Sequence, residues 1–499
     1  MLLRYISRIL IMLICLGLVC FGIYKAYFYY QEKPETRELL PAISIVPGKA
    51  RLLIIAPHCD DETLGCAGVI QEVVSGGGQV MIVAMTNGDG FTFAVEEQYR
   101  QLILTSDDYV HSGYTRQKEF IQALDRLGVV QRQLAFLGYP DRGLRALWAE
   151  HWYSSQPYQS PYTGRDHSPY ENSFRANTPY AGEAVINDLE TIMREFAPSV
   201  IFSPHPVDEH PDHAATWAFV SAAAYKVFNS GELPKPKIYT YLIHRGDFPI
   251  PHGYQPEGLL LPPKPLYYNY NSQWQAYTLT AEQEAVKEQA LNEYVSQLRV
   301  PVMSSLLRSF IRKNELFEEA IPHIALSESK NIELANLNAW ENRKPALVYP
   351  VGTSALGALE RSAKVEAIDC AVQDNVLWLR FHIPGFSTQH HQYQIAVIGF
   401  QAGHDALKRD NRSLSFSAQD TDLLPAAVYK FKEDVIINIP YSEQTLPEFF
   451  LIQTATKDRF GATIDRTAWQ QVQINKAGPE ESTGRSKNDS GAAFVNTAF

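Results

Sequence analysis

Two hydrophobic periodicities alternate along the first two thirds of the chain. Short continuous apolar runs, typical of buried parallel strands, are separated by longer segments with helical spacing. The runs predict strands at Leu52–Ala56, Gln79–Thr86, Leu134–Leu137, Val200–Ser203 and Lys237–Ile243. The longer segments predict helices at Thr63–Ser75, Arg116–Leu127, Glu183–Phe196, Asp212–Phe228, Ala281–Leu298 and Ser305–Phe317. This alternation predicts an α/β, Rossmann-like fold, in which helices cover both faces of a mostly parallel sheet.

The pattern changes after about residue 340. Apolar and polar positions alternate in short runs, which predict strands at Val365–Ile368, Val376–Ile383, Tyr393–Phe400, Asp434–Ile439 and Phe449–Thr454. Such runs, separated by turn residues, are typical of an all-β, sandwich-like domain. Residues 139–182 have no regular pattern but many aromatic side chains, and we expect them to form a lid or a wall of a substrate site.

The first 30 residues carry a membrane signal. Arg4 and Arg8 precede the apolar stretch Ile9–Tyr24, which with its aromatic flank approaches the roughly 20 residues that span a bilayer. Because no small-x-small cleavage site follows, we expect an uncleaved transmembrane signal anchor. The two arginines favour a cytoplasmic N-terminus, with the bulk of this single-pass protein outside the cytoplasm.

The length and the changes of pattern together predict the domain organisation. The chain has 499 residues, which is too long for one ordinary domain. We expect an anchor at 1–30, a tether at 31–50, an α/β domain at 51–335, a β domain at 340–475 and a disordered tail at 476–499. The net charge of −11 and the lack of a basic run argue against binding to nucleic acid. The five cysteines do not suggest a disulfide framework.

Two clusters of ionisable residues follow predicted strands. The first is His58-Cys59-Asp60-Asp61-Glu62, directly after the Leu52–Ala56 run, and the second is His205-Pro206-Val207-Asp208-Glu209-His210-Pro211-Asp212-His213, after Val200–Ser203. Unpaired charges in a buried position cost several kcal/mol each unless a metal or a counter-charge is present. Since ligands bind at the carboxyl ends of the strands in open α/β sheets, the two clusters predict one shared metal site.

The residue types indicate what such a site can do. His58 and Asp61 can face one divalent ion, with His210 or His213 as the third ligand. Asp60 then remains as a general base, and the other histidine faces a developing oxyanion. These groups suit the hydrolysis of an amide or an ester. The alternative is a polar turn that caps the following helix, but capping accounts for one aspartate and not for the whole cluster.

At these residues the chain resembles a known family. The motif from His58 to Glu62 together with His210-Pro211-Asp212-His213 is similar to that of the PIG-L/LmbE-like zinc deacetylases of N-acetylglucosamine derivatives. The similarity extends over about residues 50–320 and includes Thr86-Asn87-Gly88, Arg116, Asp141 and Lys287. It covers neither the apolar N-terminus nor the β region.

The resemblance implies roles for single residues. It implies that His58, Asp61 and His213 bind Zn²⁺ (or another divalent ion such as Fe²⁺) and that Asp60 is the general base. It further implies that His210 stabilises the oxyanion and protonates the amine, that Asp212 tunes His210, and that Arg116 and Asp141 line the sugar site. Arg142, beside Asp141, either binds substrate or pairs with its neighbour. Cys59 replaces the usual proline of the family, and a thiolate ligand there is the less favoured alternative.

These observations lead to one principal hypothesis. The protein is expected to be a membrane-anchored zinc hydrolase that removes the N-acetyl group from an N-acetylglucosamine-containing glycan or glycolipid outside the cytoplasm. One alternative is a zinc amidase or esterase acting on a non-sugar substrate, since carbonyl hydrolysis needs the same groups. The other is a non-catalytic protein that binds glycans.

Overall fold

A computed structural model provides the structure of the chain. It describes residues 12, 15–19, 22, 40–101, 103–246, 248–267, 273–328, 330–341, 350–351, 361–386, 391–402, 407–419, 427–441 and 446–475. Most of the predicted anchor, residues 31–39 of the predicted tether and the whole predicted tail lie outside the described residues. Within the described ranges, no helix combines the length and the apolar character that crossing a bilayer requires.

The first part of the chain folds around a seven-stranded sheet. Its strands are β1 (Arg51–Ala56), β2 (Gln79–Thr86), β3 (Leu134–Tyr139), β4 (Val200–Pro204), β5 (Lys237–Tyr241), β6 (Trp274–Thr278) and β7 (Asn314–Glu319). The helices are α1 (Asp61–Ser75), α2 (Thr92–Tyr99), α3 (Ser106–Arg126), α4 (Leu144–Ala149), α5 (Gly182–Phe196), α6 (Pro211–Phe228), α7 (Lys264–Tyr267), α8 (Ala281–Leu291), α9 (Val295–Leu298) and α10 (Pro301–Arg308).

The strand order is β3-β2-β1-β4-β5-β7-β6. Strands β1 to β5 are parallel, while β7 runs antiparallel to β5 and to β6. Alternate residues of β1 serve opposite faces: Leu52 and Ile54 pack with α1 and α3, whereas Leu53 and Ile55 pack with α5 and α6. The predicted α/β fold with a mostly parallel sheet, covered on both faces, is therefore confirmed.

One predicted helix in this region is wrong. The prediction placed a helix at Ser305–Phe317, but α10 ends at Arg308 and Asn314–Glu319 is strand β7. Leu307, Phe310 and Ile311 are buried and complete the core beside the sheet. Beyond them the chain forms strand β7 by pairing with the open edge of β5. Local periodicity could not reveal this pairing, because Thr240 pairs with Glu318 and Tyr239 with Glu319, across most of the domain's second half.

The C-terminal part is all β, as predicted, with more strands than the pattern indicated. They are β8 (His323–Ser327), β9 (Pro350–Val351), β10 (Ala367–Gln373), β11 (Val376–His382), β12 (Gln392–Ala402), β13 (Leu407–Ser417), β14 (Ala427–Lys430), β15 (Asp434–Pro440), β16 (Phe449–Lys457), β17 (Thr463–Thr467) and β18 (Gln470–Asn475). Strand β8 lies within the range 51–335 but pairs with β10 and β18 of this second sheet.

The second sheet curves over its own core. Its main path runs β13-β12-β16-β18-β8-β10-β11-β15-β14. Side chains from distant strands of this path meet: the rings of Phe381 and Phe416 lie 6.4 Å apart, and those of Tyr441 and Phe450 6.1 Å apart. Two parts of the sheet therefore face each other, in the manner of a sandwich.

The two sheets are joined through α6 and the irregular segment 139–182. Trp148 is buried between Phe219 of α6, 5.0 Å away, and Phe400 of β12, 5.8 Å away. Tyr225 of α6 stacks on Phe449 at 4.9 Å. Helix α6 is covered on both sides and is consequently apolar nearly all round. Part of segment 139–182, which was expected to form a lid or a wall of a substrate site, thus packs between the two sheets.

Candidate metal and active site

The site lies where four loops leave the parallel sheet at its carboxyl edge. His58 and Asp61 follow β1, Asp141 follows β3, and the segment from His205 to His213 follows β4. His244 comes three residues after the end of β5. Strands β1 and β4 are neighbours in the sheet although they are not consecutive in the chain, so the two sequence clusters meet at the point where the strand order reverses.

The first group of donors contains His58, Asp61, His213 and His244, whose ligand atoms all lie within 4.8 Å of one another. Asp61 Oδ2 lies 3.2 Å from His58 Nδ1 and 3.1 Å from His213 Nε2. Burial opposes ionisation of Asp61, but the charges and hydrogen bonds of His213 and His58 hold its pKa well below the usual range. A buried carboxylate thus faces two imidazoles at one point.

This group fits a divalent metal ion. Imidazole nitrogens with one carboxylate oxygen are the ligands of catalytic zinc and of non-haem iron. Asp61 Oδ1 is buried and has no hydrogen-bond partner among the described residues. A carboxylate oxygen left in that position is costly unless a cation balances it.

In both predicted histidine ligands, His58 and His213, carboxylates also contact the ring nitrogen that does not face Asp61. His58 Nε2 lies 3.3 Å from Asp141 Oδ1 and 3.4 Å from Asp212 Oδ2. His213 Nδ1 lies 3.0 Å from Asp208 Oδ2, and Asp208 with Asp61 raises the pKa of His213 to about 9 against the opposing effect of burial. Such contacts orient metal-binding imidazoles and increase their basicity.

Asp60 stands beside the donor group and is held by Arg116. Arg116 Nη2 donates to Asp60 Oδ2 at 3.1 Å, and the same guanidinium donates to the carbonyl oxygens of Gly88 and Cys59. Burial raises the pKa of Asp60 to about 7, and the charge of Arg116 limits that rise. The structure therefore uses Arg116, predicted to contact sugar, first to position Asp60.

His210 is the N-cap of α6. Its Nδ1 accepts a hydrogen bond from the backbone N–H of Asp212 at 3.2 Å. This bond assigns the proton of the neutral ring to Nε2. Burial and the charge of His58 lower the pKa of His210 to about 4, so the ring is neutral near pH 7. A neutral imidazole with Nε2–H can donate a hydrogen bond to a carbonyl oxygen.

Asp212 makes contacts beyond its expected influence on His210. The expectation was that it tunes His210, but its carboxylate accepts from the backbone N–H groups of Arg142 at 2.5 Å and Leu144 at 3.0 Å and faces His58. Its link to the His210 ring runs through its own backbone N–H and through space. Asp212 therefore joins the loop after β3 to the donor group.

Cys59 and Glu62 are turned away from the donors. The Cys59 thiol packs in the core, 3.9 Å from the carbonyl oxygen of Thr86, and burial raises its pKa well above the usual value. Cys59 does not belong to the first donor group. It is also absent from a second donor group of the described residues, formed by His58, Asp141, His210 and Asp212, whose ligand atoms likewise lie within 4.8 Å of one another, and this speaks against a thiolate ligand. Glu62 Oε1 accepts hydrogen bonds from the hydroxyls of Thr63 and Tyr294.

Sequence reasoning missed His244 and left Asp208 and His205 undecided. His244 lies just beyond a predicted strand, so the rule that placed the other clusters at strand ends could have found it. Asp208 supports His213, whereas His205 pairs with Glu318 at 2.5 Å and stacks on Trp274. Glu318 belongs to strand β7, which was not predicted, and for that reason no sequence signal connected the two.

An open cavity of about 180 Å³ reaches this site. Its lining consists of His58, Asp60, Phe91, Arg116, Asp141, Arg142, His210, His244, Gln297 and Met303. The predicted general base, the predicted oxyanion donor and the two predicted sugar-site residues therefore border one space. The aromatic residues of segment 139–182 are not among those that line it.

Comparison with known proteins agrees with this arrangement. Residues 53–224 match the family described as PIG-L: GlcNAc-PI de-N-acetylase. The match includes both clusters of the site and ends within α6, before His244 and the second sheet. The resemblance inferred from the motifs is thus confirmed.

Curated relatives match the same part of the chain. The 1D-myo-inositol 2-acetamido-2-deoxy-α-D-glucopyranoside deacetylase of Mycobacterium sp. (strain KMS) is 30% identical over 216 residues, 43% of this chain and 58% of that protein. The equally named protein of Kribbella flavida is 31% identical over 202 residues, 38% of this chain and 60% of that protein. The chain therefore spans about three fifths of the length of these relatives.

A solved structure is similar over the α/β part. The N,N'-diacetylchitobiose deacetylase of Pyrococcus horikoshii shares 18% identity with this chain and covers 54% of it and 84% of its own length. The TM-score is 0.32, and at this value the likeness carries no argument about function. The functional interpretation rests on the geometry of the site itself.

Proposed function

We propose that this PIG-L domain protein is a zinc-dependent hydrolase that removes the N-acetyl group from an N-acetylglucosamine-containing glycan or glycolipid. One observation carries the proposal: the donor atoms of His58, Asp61, His213 and His244 converge within 4.8 Å, and Asp60 borders the same cavity. A metal site with a positioned carboxylate is the arrangement that carbonyl hydrolysis requires.

The donor group would bind the metal ion. His58, Asp61 and His213 would hold the ion, and His244 is placed to join them. When bound, zinc supplies Lewis acidity that polarises a carbonyl group and lowers the pKa of water.

Asp60 and His210 would perform the proton chemistry. Asp60, kept in place by Arg116, would take the proton of the water that attacks the acetyl carbonyl carbon. The neutral His210 ring would donate its Nε2–H to the carbonyl oxygen as negative charge develops there. The C–N bond then breaks: the amine leaves with the proton that Asp60 took from the water, and acetate is released.

The substrate class rests on the relatives. Both curated relatives are named deacetylases of a 2-acetamido-2-deoxy-glucopyranoside. An acetamido sugar is therefore the favoured substrate for the cavity beside Asp141. The same site chemistry would serve a non-sugar amide or ester, so the experiment must include such compounds.

The decisive experiment measures metal content and acetate release on the same full-length sample, with N-acetylglucosamine oligomers, acetylated glycolipids and simple amides and esters as substrates. We expect stoichiometric zinc and acetate from the sugars. Asp60→Asn should retain the metal but lose roughly 10²–10⁴-fold in kcat, the usual contribution of a general base. Asp125→Asn, an exposed aspartate of α3, is the matched control and should keep full activity.

Three outcomes would contradict the proposal. Full activity of Asp60→Asn would refute the assigned base. Zinc without acetate release, but with turnover of other amides or esters, would favour a zinc amidase or esterase. A protein that neither binds metal nor releases acetate, but binds glycans, would be a non-catalytic glycan-binding protein.

We further propose that the protein is anchored in a membrane with this site outside the cytoplasm. The support is the apolar stretch Ile9–Tyr24 preceded by Arg4 and Arg8. In intact cells, an external protease should remove the C-terminal part while leaving a membrane-bound N-terminal fragment. Recovery of the full-length protein in the soluble fraction would contradict the anchor.

A further inference from the structure

Two arginines line the cavity in the described structure. Only the side chain of Arg142 is exposed, and the proposed reaction gives it no role. It follows Asp141 in the loop after β3 and borders the same space as Asp60 and His210. The other arginine of the lining, Arg116, is buried and committed to Asp60. The sequence left open whether Arg142 pairs with Asp141 or contacts substrate.

The structure does not pair Arg142 with its neighbour. Asp141 Oδ1 faces His58 Nε2 at 3.3 Å, and its Oδ2 accepts from the backbone N–H of Gly90 at 2.8 Å. Both oxygens of Asp212 are likewise engaged by backbone N–H groups. Across the part of the chain that the structure describes, the Arg142 guanidinium forms neither an ion pair nor a hydrogen bond, so its charge remains available in the cavity.

The backbone holds Arg142 in an unusual conformation. Its φ is +61°, in the left-handed region that glycine adopts without strain and residues with a Cβ atom disfavour. The conformation is fixed because the Arg142 N–H donates to Asp212 Oδ2 at 2.5 Å, and Asp212 also contacts the donor group. A strained position that a glycine would occupy more easily therefore carries a cationic side chain at the site.

We propose that Arg142 is a specificity-determining residue that binds an oxyanion, a phosphate or a carboxylate, on the unit next to the acetylated sugar. This inference rests on the proposed deacetylase function and narrows its substrate class to anionic glycans or phosphate-linked glycolipids. A planar guanidinium donates two parallel hydrogen bonds to either group. The neighbouring carboxylates do not compete, because each is already satisfied.

The experiment compares three substrates of the full-length enzyme: methyl N-acetylglucosaminide, N-acetylglucosamine 1-phosphate, and a disaccharide of N-acetylglucosamine with glucuronic acid. We expect a lower KM for one or both anionic compounds, and the arm that shows it identifies phosphate or carboxylate. Arg142→Ala should raise that KM roughly ten- to a hundredfold, the usual effect of losing a hydrogen bond to a charged group. The quantity compared is the ratio of the anionic to the neutral KM within each variant, and this ratio should rise by that factor in Arg142→Ala.

Two further variants separate the side chain from the backbone. Arg142→Gly relieves the left-handed strain and should lose the anion preference to the same extent as Arg142→Ala. Arg142→Lys should keep part of the preference. Arg145→Ala removes an exposed arginine that does not line the cavity and should behave as the wild type.

A direct binding measurement supports the kinetic comparison. Asp60→Asn, which should bind without turnover, is titrated calorimetrically with N-acetylglucosamine 1-phosphate, with and without Arg142→Ala. If the enzyme releases acetate but does not prefer the anionic substrates, or if Arg142→Gly keeps that preference, the proposed role of Arg142 is refuted. The proposed deacetylase function is not affected by either result. No acetate release from all three substrates, with no binding of them, would overturn the proposed function as well.

Discussion

Replacing Asp208 with asparagine should weaken metal binding although Asp208 is not a proposed ligand. Its carboxylate is buried and makes four contacts: an ion-pair contact with His213 Nδ1 at 3.0 Å, and hydrogen bonds accepted from the backbone N–H groups of His210 at 2.9 Å, Ile243 at 3.1 Å and His244 at 2.9 Å. An asparagine has the same shape but carries one amide nitrogen, which is a donor only. In either orientation of the side-chain amide, its NH2 group would face at least one of the N–H groups that now contact the Asp208 carboxylate.

The magnitude follows from those contacts. A hydrogen bond to a charged group contributes about 1.5–3 kcal/mol. Loss of such support for a metal-binding histidine typically lowers metal affinity 10- to 100-fold, which corresponds to about 1.4–2.7 kcal/mol. The two estimates agree, and we expect the Kd for zinc to rise within this range while kcat per bound zinc falls less.

The assay is a zinc titration of the metal-free full-length protein against a chromophoric chelator. The matched control is Asp188→Asn, another buried aspartate, which accepts from the Tyr139 hydroxyl at 2.7 Å and lies outside both donor groups. This control should lose stability but keep the wild-type Kd. An unchanged Kd in Asp208→Asn, or an equal loss in Asp188→Asn, would refute the reasoning.

Two further predictions concern stability, measured by urea denaturation. Lys287→Met should destabilise the fold by about 3–5 kcal/mol, because it leaves Glu315, 2.8 Å from Nζ, as an unpaired buried charge. Adding Glu315→Gln removes that charge and should recover part of the lost stability. A double variant that is no more stable than Lys287→Met would contradict this account. Phe400→Ala should cost about 3–5 kcal/mol because Phe400 is fully buried against Trp148 where the two sheets meet. The control, the exposed Phe460→Ala, should change stability by less than about 0.5 kcal/mol, and an equal effect of both would show that this contact does not stabilise the fold.

Much of the α/β half could be predicted because its signals are local. A buried parallel strand is apolar along its whole length, and the helices that cover it keep a polar face, so both appear within single segments such as Leu52–Ala56 and Glu183–Phe196. Strand β7 was not predicted, because it forms by pairing with the open edge of β5 and its own hydrophobic pattern does not show this. Strand β8 depends in the same way on pairing with β10 and β18.

The sequence by itself determined the chemistry that the site can offer. Imidazoles and carboxylates placed directly after apolar runs must lie at strand ends, and parallel strands bring those ends to one edge. That reasoning named His58, Asp60, Asp61, His210 and His213 without any coordinates. It could not choose between neighbouring residues within a cluster, because single turns decide which side chain faces inward.

The tertiary structure decided which residues hold those groups in place. Asp208, His244 and Asp212 connect the loops after β3, β4 and β5, and Arg116 reaches Asp60 from a helix 56 residues later in the chain. The free guanidinium of Arg142 became evident only when both carboxylates beside it were seen to be engaged. Such contacts depend on the packing of distant segments, and hydrophobic periodicity carries information only about neighbours along the chain.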